Sequence, residues 1–474
     1  MGKNAPRDVL AARYAGDRMV DIWGTAKKVV MERRLWLAAL MTQKMLGADI
    51  PQDAIDAYRA VLNEVNLESI ARRESKLRHD VKARIEEFNA LASAKLGRKV
   101  ELVHRGFTSR DLTDNVEQMQ IVESLALAQE RTVTVLGRFA GRAREYTTLD
   151  LCARTHNVPA QTTTLGKRFA NFGEEMLVAY RGLEALIKRY PIRGIKGPVG
   201  TQQDMVALLG SPDKARDFEE HLAIEMDWPQ TLGSVGQVYP RSLDFDVVST
   251  LVQLAAAPCN FALMVRLMAG GGLMHEGFGK DQTGSSGMPH KMNSRTCERV
   301  TALMKVLRGF LTMTSELAGD QWLEGDVSCS VVRRVALQGA FCALDGLFES
   351  VLTVLDEMEV FPGMIETELK RYLPYLSSTA LLVAAVRAGM GREEAHAIIK
   401  KHATAALRDG RPDAFIENLE RDGSFPVVAS EIRRLVESPD HGLADKQVDW
   451  LCERLEPVFR QFPEAVAYKP GAIL

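Results

Sequence analysis

Apolar residues recur at intervals of three and four across long stretches where glycine and proline are sparse. Leu112, Val116, Met119, Val122, Ala126, Val133, Leu136, Ala140 and Ala143 form one such stripe. At 3.6 residues per turn, this spacing puts them on one face of a single helix of about nine turns. A face of that length needs other helices along it, so the chain is predicted to be all-α and built around a bundle. Ser109 or Asp111 is the expected N-cap. The same periodicity predicts helices over Phe169–Lys188, Leu243–Met268 with a kink at Pro258, Arg295–Leu317 and Val331–Met358. Strand-like alternation is confined to short connectors. Shorter helices flank this block, including Val30–Met45, ended by Gly47, and the charge-rich Leu67–Leu91. After about Phe361 the chain is punctuated by Pro374, Gly389, Gly391, Gly410 and Pro412. These shifts divide the chain into an N-terminal region 1–110, a central region 111–360 and a C-terminal region 361–474.

The length of 474 residues fits that division, at about 150 residues per domain. Hydrophobic residues make up 46% and charged residues 26%, which excludes disorder over most of the chain. Sixty basic and 62 acidic residues leave a formal net charge of −2, so no global field draws in nucleic acid or an anionic membrane. An anionic ligand would need a local cluster of cations. No run of about 18 uninterrupted apolar residues predicts a membrane-spanning helix, and the N-terminus has no signal-type apolar core. The six cysteines, Cys152, Cys259, Cys297, Cys329, Cys342 and Cys452, form no CxxC pair. They are read as reduced thiols of a cytoplasmic protein rather than a disulfide or zinc framework.

Four segments gather polar groups that core packing does not explain. They are Arg78-His79-Asp80, the run from His104 to Asp111, the run from Arg154 to Thr164, and the run from Gly284 to Asn293. The second and third adjoin long helices, where hydroxyls and free N–H groups favour an anion, although ordinary N-caps look the same. The fourth, Gly-Ser-Ser-Gly-Met-Pro before His290, Lys291 and Asn293, suits either a closing loop that carries chemistry or a plain Gly/Ser linker. Of nine histidines, His221, His275, His396, His402 and His441 suit surface or core roles. His79, His104, His156 and His290 sit inside the clusters, where acid–base work or substrate hydrogen bonding fits better than metal ligation.

GSSGMPHKMN at 284–293 resembles the loop GSSxMPxKxNP of the fumarase/aspartase superfamily. THNVPAQTTTLGKR and HRGFTSRDLTDN resemble two further superfamily segments, in the right order. RHDV at Arg78–Val81, Arg13-Tyr14 and GQVYPR at Gly236–Arg241 narrow the likeness to the adenylosuccinate lyase family, from about residue 10 to the closing YKPGAIL. The resemblance implies a three-domain all-α subunit whose long central helices form the core of a homotetramer, with each site shared by three subunits. It implies β-elimination of fumarate from adenylosuccinate, giving AMP, and from SAICAR, giving AICAR, in purine nucleotide biosynthesis. The implied partners are those nucleotides and further copies of the chain, with no nucleic acid, membrane, metal or organic cofactor. The alternatives are another fumarate-releasing lyase, of argininosuccinate lyase or carboxymuconate cycloisomerase type, and a helical scaffold without catalysis. Arg78-His79-Asp80 with Arg13-Tyr14 favours a nucleotide substrate, and intact Ser285, Lys291 and His156 disfavour the scaffold.

By resemblance Ser285 is the base and His156 the general acid. Lys291 holds the fumaryl carboxylate and helps stabilise the Ser285 alkoxide, together with loop N–H groups and a nearby helix N-terminus. His79 orients His156 or binds substrate, and Glu298 orients His156 or Lys291. Arg13, Tyr14, Arg299, Ser330 and Arg334 match phosphate or ribose contacts. Thr108 and Ser109 match carboxylate contacts, with Thr155 nearby, and Gln237 matches a succinyl contact. Arg78, Asp80, His104, Ser286, Met288 and Asn293 complete the implied binding set. Three positions depart from the pattern. Gly325 stands where the family often has Arg, Lys291-Met292-Asn293-Ser294 replaces KRNP, and Gly287 loosens the loop.

Overall fold

The computed structural model describes residues 8–277, 288, 291–438 and 440–471. The all-α expectation holds. The longest element is the 37-residue helix Ser109–Glu145. Its N-cap is Thr108, one residue before the expected start. Thr108 and Asp111 form a reciprocal capping box, in which the Asp111 carboxylate accepts the Thr108 N–H at 2.7 Å. The helix packs against Leu165–Arg189 and Cys329–Glu357, and Arg295–Ser315 packs on the latter. Phe261 meets Phe139 and Phe169 at this centre, with ring centroids 5.5 and 6.1 Å away.

The apolar cores do not follow chain order. Leu112 and Val116 of the long helix belong to a core with Trp36, Tyr58 and Phe88, joined by Ile192, Phe218 and Trp228. From Ile121 onward the same helix enters the central core, which also takes in Val448, Leu451 and Leu455 near the C-terminus. A small third core is built from Leu381, Ile399, Phe415 and Ile432.

Two segments expected as single helices are broken. Leu67–Leu91 is two helices, Leu67–Leu77 and Asp80–Leu96, because Arg78 turns left-handed at φ 53°. His79 then caps the second helix by accepting the Lys82 N–H at 3.3 Å. Leu243–Met268 becomes Ser242–Leu254 and Ala256–Gly270, interrupted at Ala255. The Pro258 ring crowds the carbonyl four residues back, so the disturbance falls ahead of the proline. By length and composition these two helices together, and Cys329–Glu357, would pass as membrane-crossing, but most of each window is buried within the fold. Their hydropathy reflects burial in a protein core. All six cysteines are free thiols.

The sequence also hides a β-hairpin. Asp150–Thr155 pairs antiparallel with Val158–Thr164, and Thr155 faces Val158. The two linking residues, His156 and Asn157, both have positive φ, at 52° and 62°. That is the backbone of a two-residue primed turn, which asparagine tolerates well.

Candidate active site

The first turns of helix Cys329–Glu357 gather residues from distant segments. Ser330 and Arg334 lie one turn apart on it. The Ser330 hydroxyl accepts a hydrogen bond from Arg110 Nη2 at 2.6 Å. Arg110 follows Thr108 and Ser109 at the opening of the long helix, where the helix dipole and unpaired N–H groups favour negative charge. Arg334 faces Asp80 Oδ2 at 3.8 Å. Burial would raise the Asp80 carboxyl, but Arg84 at 3.2 Å, the Val81 N–H and Arg334 hold it below its ordinary value. Arg78, His79 and Asp80 therefore sit at the helix break that faces Arg334. Arg84 is itself anchored to buried Glu32 at 2.7 Å.

Beneath these groups lies a buried charge network. Arg333 donates to Asp244 at 2.8 Å, to Glu117 at 2.6 Å and to the Tyr239 hydroxyl. Tyr239 in turn donates to Asp244 at 2.6 Å. Asp114 takes Arg241 at 2.9 Å and Arg110 at 3.2 Å, and Lys28 reaches Glu117 at 3.1 Å. Burial alone would push Glu117 up, yet Lys28 and Arg333 hold it well below the usual carboxylate range. One turn earlier, Asp111 accepts from Arg193 at 2.5 Å and from the Lys196 and Gly197 N–H groups at 2.9 and 3.0 Å. Asp111, Asp114, Asn115 and Gln118 are all fully buried. Their spacing of three, four and seven is itself a helical face, made of polar residues. That polar stripe is the signal in the sequence for a network that reading apolar periodicity alone passes over.

The other expected residues fall into separate places. Tyr14 lies under Arg299, whose guanidinium carbon is 5.8 Å from the ring centroid, and Arg13 is exposed beside it. Gly346 lets this segment approach, since a Cβ there would lie 2.7 Å from Tyr14 Cβ. Gln237 donates its N–H to the Glu324 carbonyl at 2.6 Å, beside Gly325. His104 is turned inward. Its Nδ1 accepts from the Trp36 indole at 3.1 Å, and burial pushes its pKa down to about 4, so the ring is neutral at pH 7. Thr155 and His156 are exposed at the hairpin tip, and among the described residues the His156 side chain makes no hydrogen bond or ion pair.

Lys291, Asn293 and Glu298 line a cleft with Arg266, His275 and Phe361. Lys291 donates its N–H to the Met288 carbonyl at 3.0 Å, and Glu298 faces Arg266 at 3.9 Å. Buried Glu276 caps the adjoining helix by accepting the Thr296 and Cys297 N–H groups at 2.9 and 2.8 Å. Those two donors are therefore occupied. Ser285 and Ser286 lie outside the described residues, as do Gly287 and His290. His275 and His441 have polar partners that their sequence surroundings do not suggest: Glu359 at 3.2 Å and Asp150 at 2.9 Å.

A family profile described as "Lyase" matches residues 4–309, and one described as "Adenylosuccinate lyase C-terminus" matches residues 374–451. The adenylosuccinate lyase of Saccharomyces cerevisiae is 32% identical over 455 residues, covering 94% of this chain and 93% of the relative. The chain belongs to the adenylosuccinate lyase family. A second family member, the adenylosuccinate lyase of Schistosoma mansoni, is 30% identical over 472 residues, covering 97% of each chain. Solved structures share the fold at lower identity. A fumarate lyase from Mesorhizobium sp. BNC1 superposes with a TM-score of 0.80 at 21% identity, over 93% of this chain and 98% of that one. The 3-carboxy-cis,cis-muconate lactonizing enzyme from Pseudomonas putida gives 0.81 at 17%, over 95% and 99%.

Proposed function

We propose that the chain is a carbon–nitrogen lyase that releases fumarate from adenylosuccinate, leaving AMP, and from SAICAR, leaving AICAR. The observation that carries this reading is the gathering of Asp80, Arg110, Ser330 and Arg334 at one end of the bundle, in a chain with full-length adenylosuccinate lyase relatives. Such a ligand carries a phosphate and two carboxylates, so it needs cations and hydroxyls supplied locally by a near-neutral chain.

The reaction breaks a C–H and a C–N bond and forms the C=C bond of fumarate. The proton lost is α to a carboxylate and weakly acidic, so a base and a stabilised carbanion are both required. Ser285 takes that proton as the base, a role carried by its motif. Lys291 holds the carboxylate on which charge develops. His156 gives a proton to the leaving nitrogen, which general acid catalysis of this kind accelerates by about 10²–10⁴-fold. His79 orients His156 or binds substrate, and Glu298 orients His156 or Lys291. Arg13, Tyr14, Arg299, Ser330 and Arg334 bind the nucleotide end. Thr108, Ser109, Thr155 and Gln237 bind the succinyl end. Arg78, Asp80, His104, Ser286, Met288 and Asn293 complete the substrate-binding set.

The active form is a homotetramer in which three subunits contribute to each site. Two features support this. His156 stands exposed on a hairpin tip, and long-helix side chains such as Leu267 and Val331 are 65% and 70% exposed. The free thiols suit a reducing, cytoplasmic compartment. The test is to mix the purified protein with adenylosuccinate and follow the ultraviolet change as AMP forms. Turnover is expected. Inertness toward adenylosuccinate combined with turnover of argininosuccinate would overturn the reading.

A further inference from the structure

Thr108 and Ser109 have assigned roles, and Arg110, the next residue, has none. We infer that Arg110 is a specificity-determining residue that binds the substrate phosphate together with Ser330, supplying the cation that position 325 lacks. This inference rests on the reading of the chain as an adenylosuccinate lyase.

Three observations carry it. The first is donor geometry. Arg110 spends Nη1 on Asp114 at 3.2 Å and Nη2 on the Ser330 hydroxyl at 2.6 Å. A guanidinium has five N–H donors, so three remain for a ligand. The side chain is 11% exposed, which leaves an edge that a ligand can reach. Because the Ser330 oxygen accepts from Arg110, its own proton is directed elsewhere and suits an anionic oxygen. Arg110 and Ser330 thus present a fork of donors to one oxyanion.

The second is charge. Ion pairs link Lys28, Arg110, Arg241 and Arg333 with Asp114, Glu117 and Asp244. That is four cations against three carboxylates among the described residues, with the long helix adding its positive end. Buried Arg241 also keeps Nε and Nη1 without a hydrogen-bond partner among the described residues. The network is short of one negative charge, which a bound phosphate supplies.

The third is position 325. Gly325 has φ +136°, a backbone that other residues rarely adopt, and a Cβ there would lie 3.0 Å from Val238 Cγ2. An arginine at 325 would therefore be strained in this loop conformation. Arg110 reaches Ser330 from the first turn of the long helix, 220 residues away in sequence.

The experiment is steady-state kinetics of the full-length protein on adenylosuccinate and on its 5′-dephospho counterpart, succinyladenosine. Wild type, Arg110→Gln and Arg110→Lys are compared, and thermal unfolding is followed with and without inorganic phosphate. Arg110→Gln is expected to raise KM for adenylosuccinate by about tenfold or more, the scale of one lost charge-assisted hydrogen bond. Its kcat should stay within about threefold, and its kinetics on succinyladenosine should match wild type. Arg110→Lys keeps the charge without the fork and should fall between, at about threefold in KM. Stabilisation by inorganic phosphate should weaken in the same order. Equal losses on both substrates, or none on either, overturn the inference. If Arg110→Gln does not fold, Arg110→Lys carries the same two-substrate comparison. A wild type inert toward adenylosuccinate counts against the functional reading, and the phosphate shift still tests Arg110. An active wild type with an indifferent Arg110→Gln counts against Arg110 alone.

Discussion

Asp345 is 3% exposed and stands one helical turn from Glu349, which is equally buried. Arg131 serves both carboxylates, at 3.8 and 3.2 Å, and Asp345 also accepts the Gly16 N–H at 2.7 Å. Burial, reinforced by Glu349, pushes Asp345 from its ordinary value of 3.8 up to about 6. The fold therefore favours the protonated form. Its contribution to stability is full below about pH 4 and is lost as pH rises toward about 6, then levels off. Asparagine imitates the neutral acid at every pH. The unfolding temperature of Asp345→Asn should thus gain on wild type between about pH 4 and pH 6, and the gap should stay constant above that. Parallel melting curves for the two proteins across this range would count against the assignment. At this scale the sequence exposes residue types but not their partners. The sequence marks His104 and His79 as candidate site residues, while their contacts with the Trp36 indole and the Lys82 N–H appear only in the structure.

Helices are held together here by buried charge as well as apolar area. Arg333 ties Ser109–Glu145, Ser242–Leu254 and Cys329–Glu357 into one unit through Glu117, Asp114 and Asp244. Replacing it with leucine would strand those carboxylates in the core, at a cost on the order of 3–5 kcal/mol. Urea unfolding of Arg333→Leu should show a loss of that size, while a midpoint close to wild type would contradict the network. The long helix was legible because its period is local. The breaks at Arg78 and Ala255 were not, since an arginine at φ 53° and a disturbance ahead of Pro258 both answer to packing. The hairpin was hidden for a similar reason: His156-Asn157 is a weaker turn signal than Asn-Gly, and Arg154-to-Thr164 also reads as a helix cap.

For the whole molecule, the exposed apolar residues of the long helices carry the expectation. Val331 and Val335 project from helix Cys329–Glu357 at 70% and 50% exposure. Val335→Glu should lower the mass seen by light scattering and remove turnover with it, and a fully active monomer would refute sites shared between subunits. Inactive Ser285→Ala and His156→Ala proteins, mixed and reassembled, should regain part of the wild-type activity. No recovery despite proven subunit exchange would refute the same claim. The sequence alone determined the helical class and the family, because helical periodicity and motif residues are written within short windows of chain. Only the tertiary structure decided that Asp80 meets Arg334, that Arg110 meets Ser330, and that Asp114 sits beneath three arginines. Those meetings depend on how long helices cross and where their first turns come to rest. Packing of distant apolar faces sets that geometry, and no local pattern encodes it.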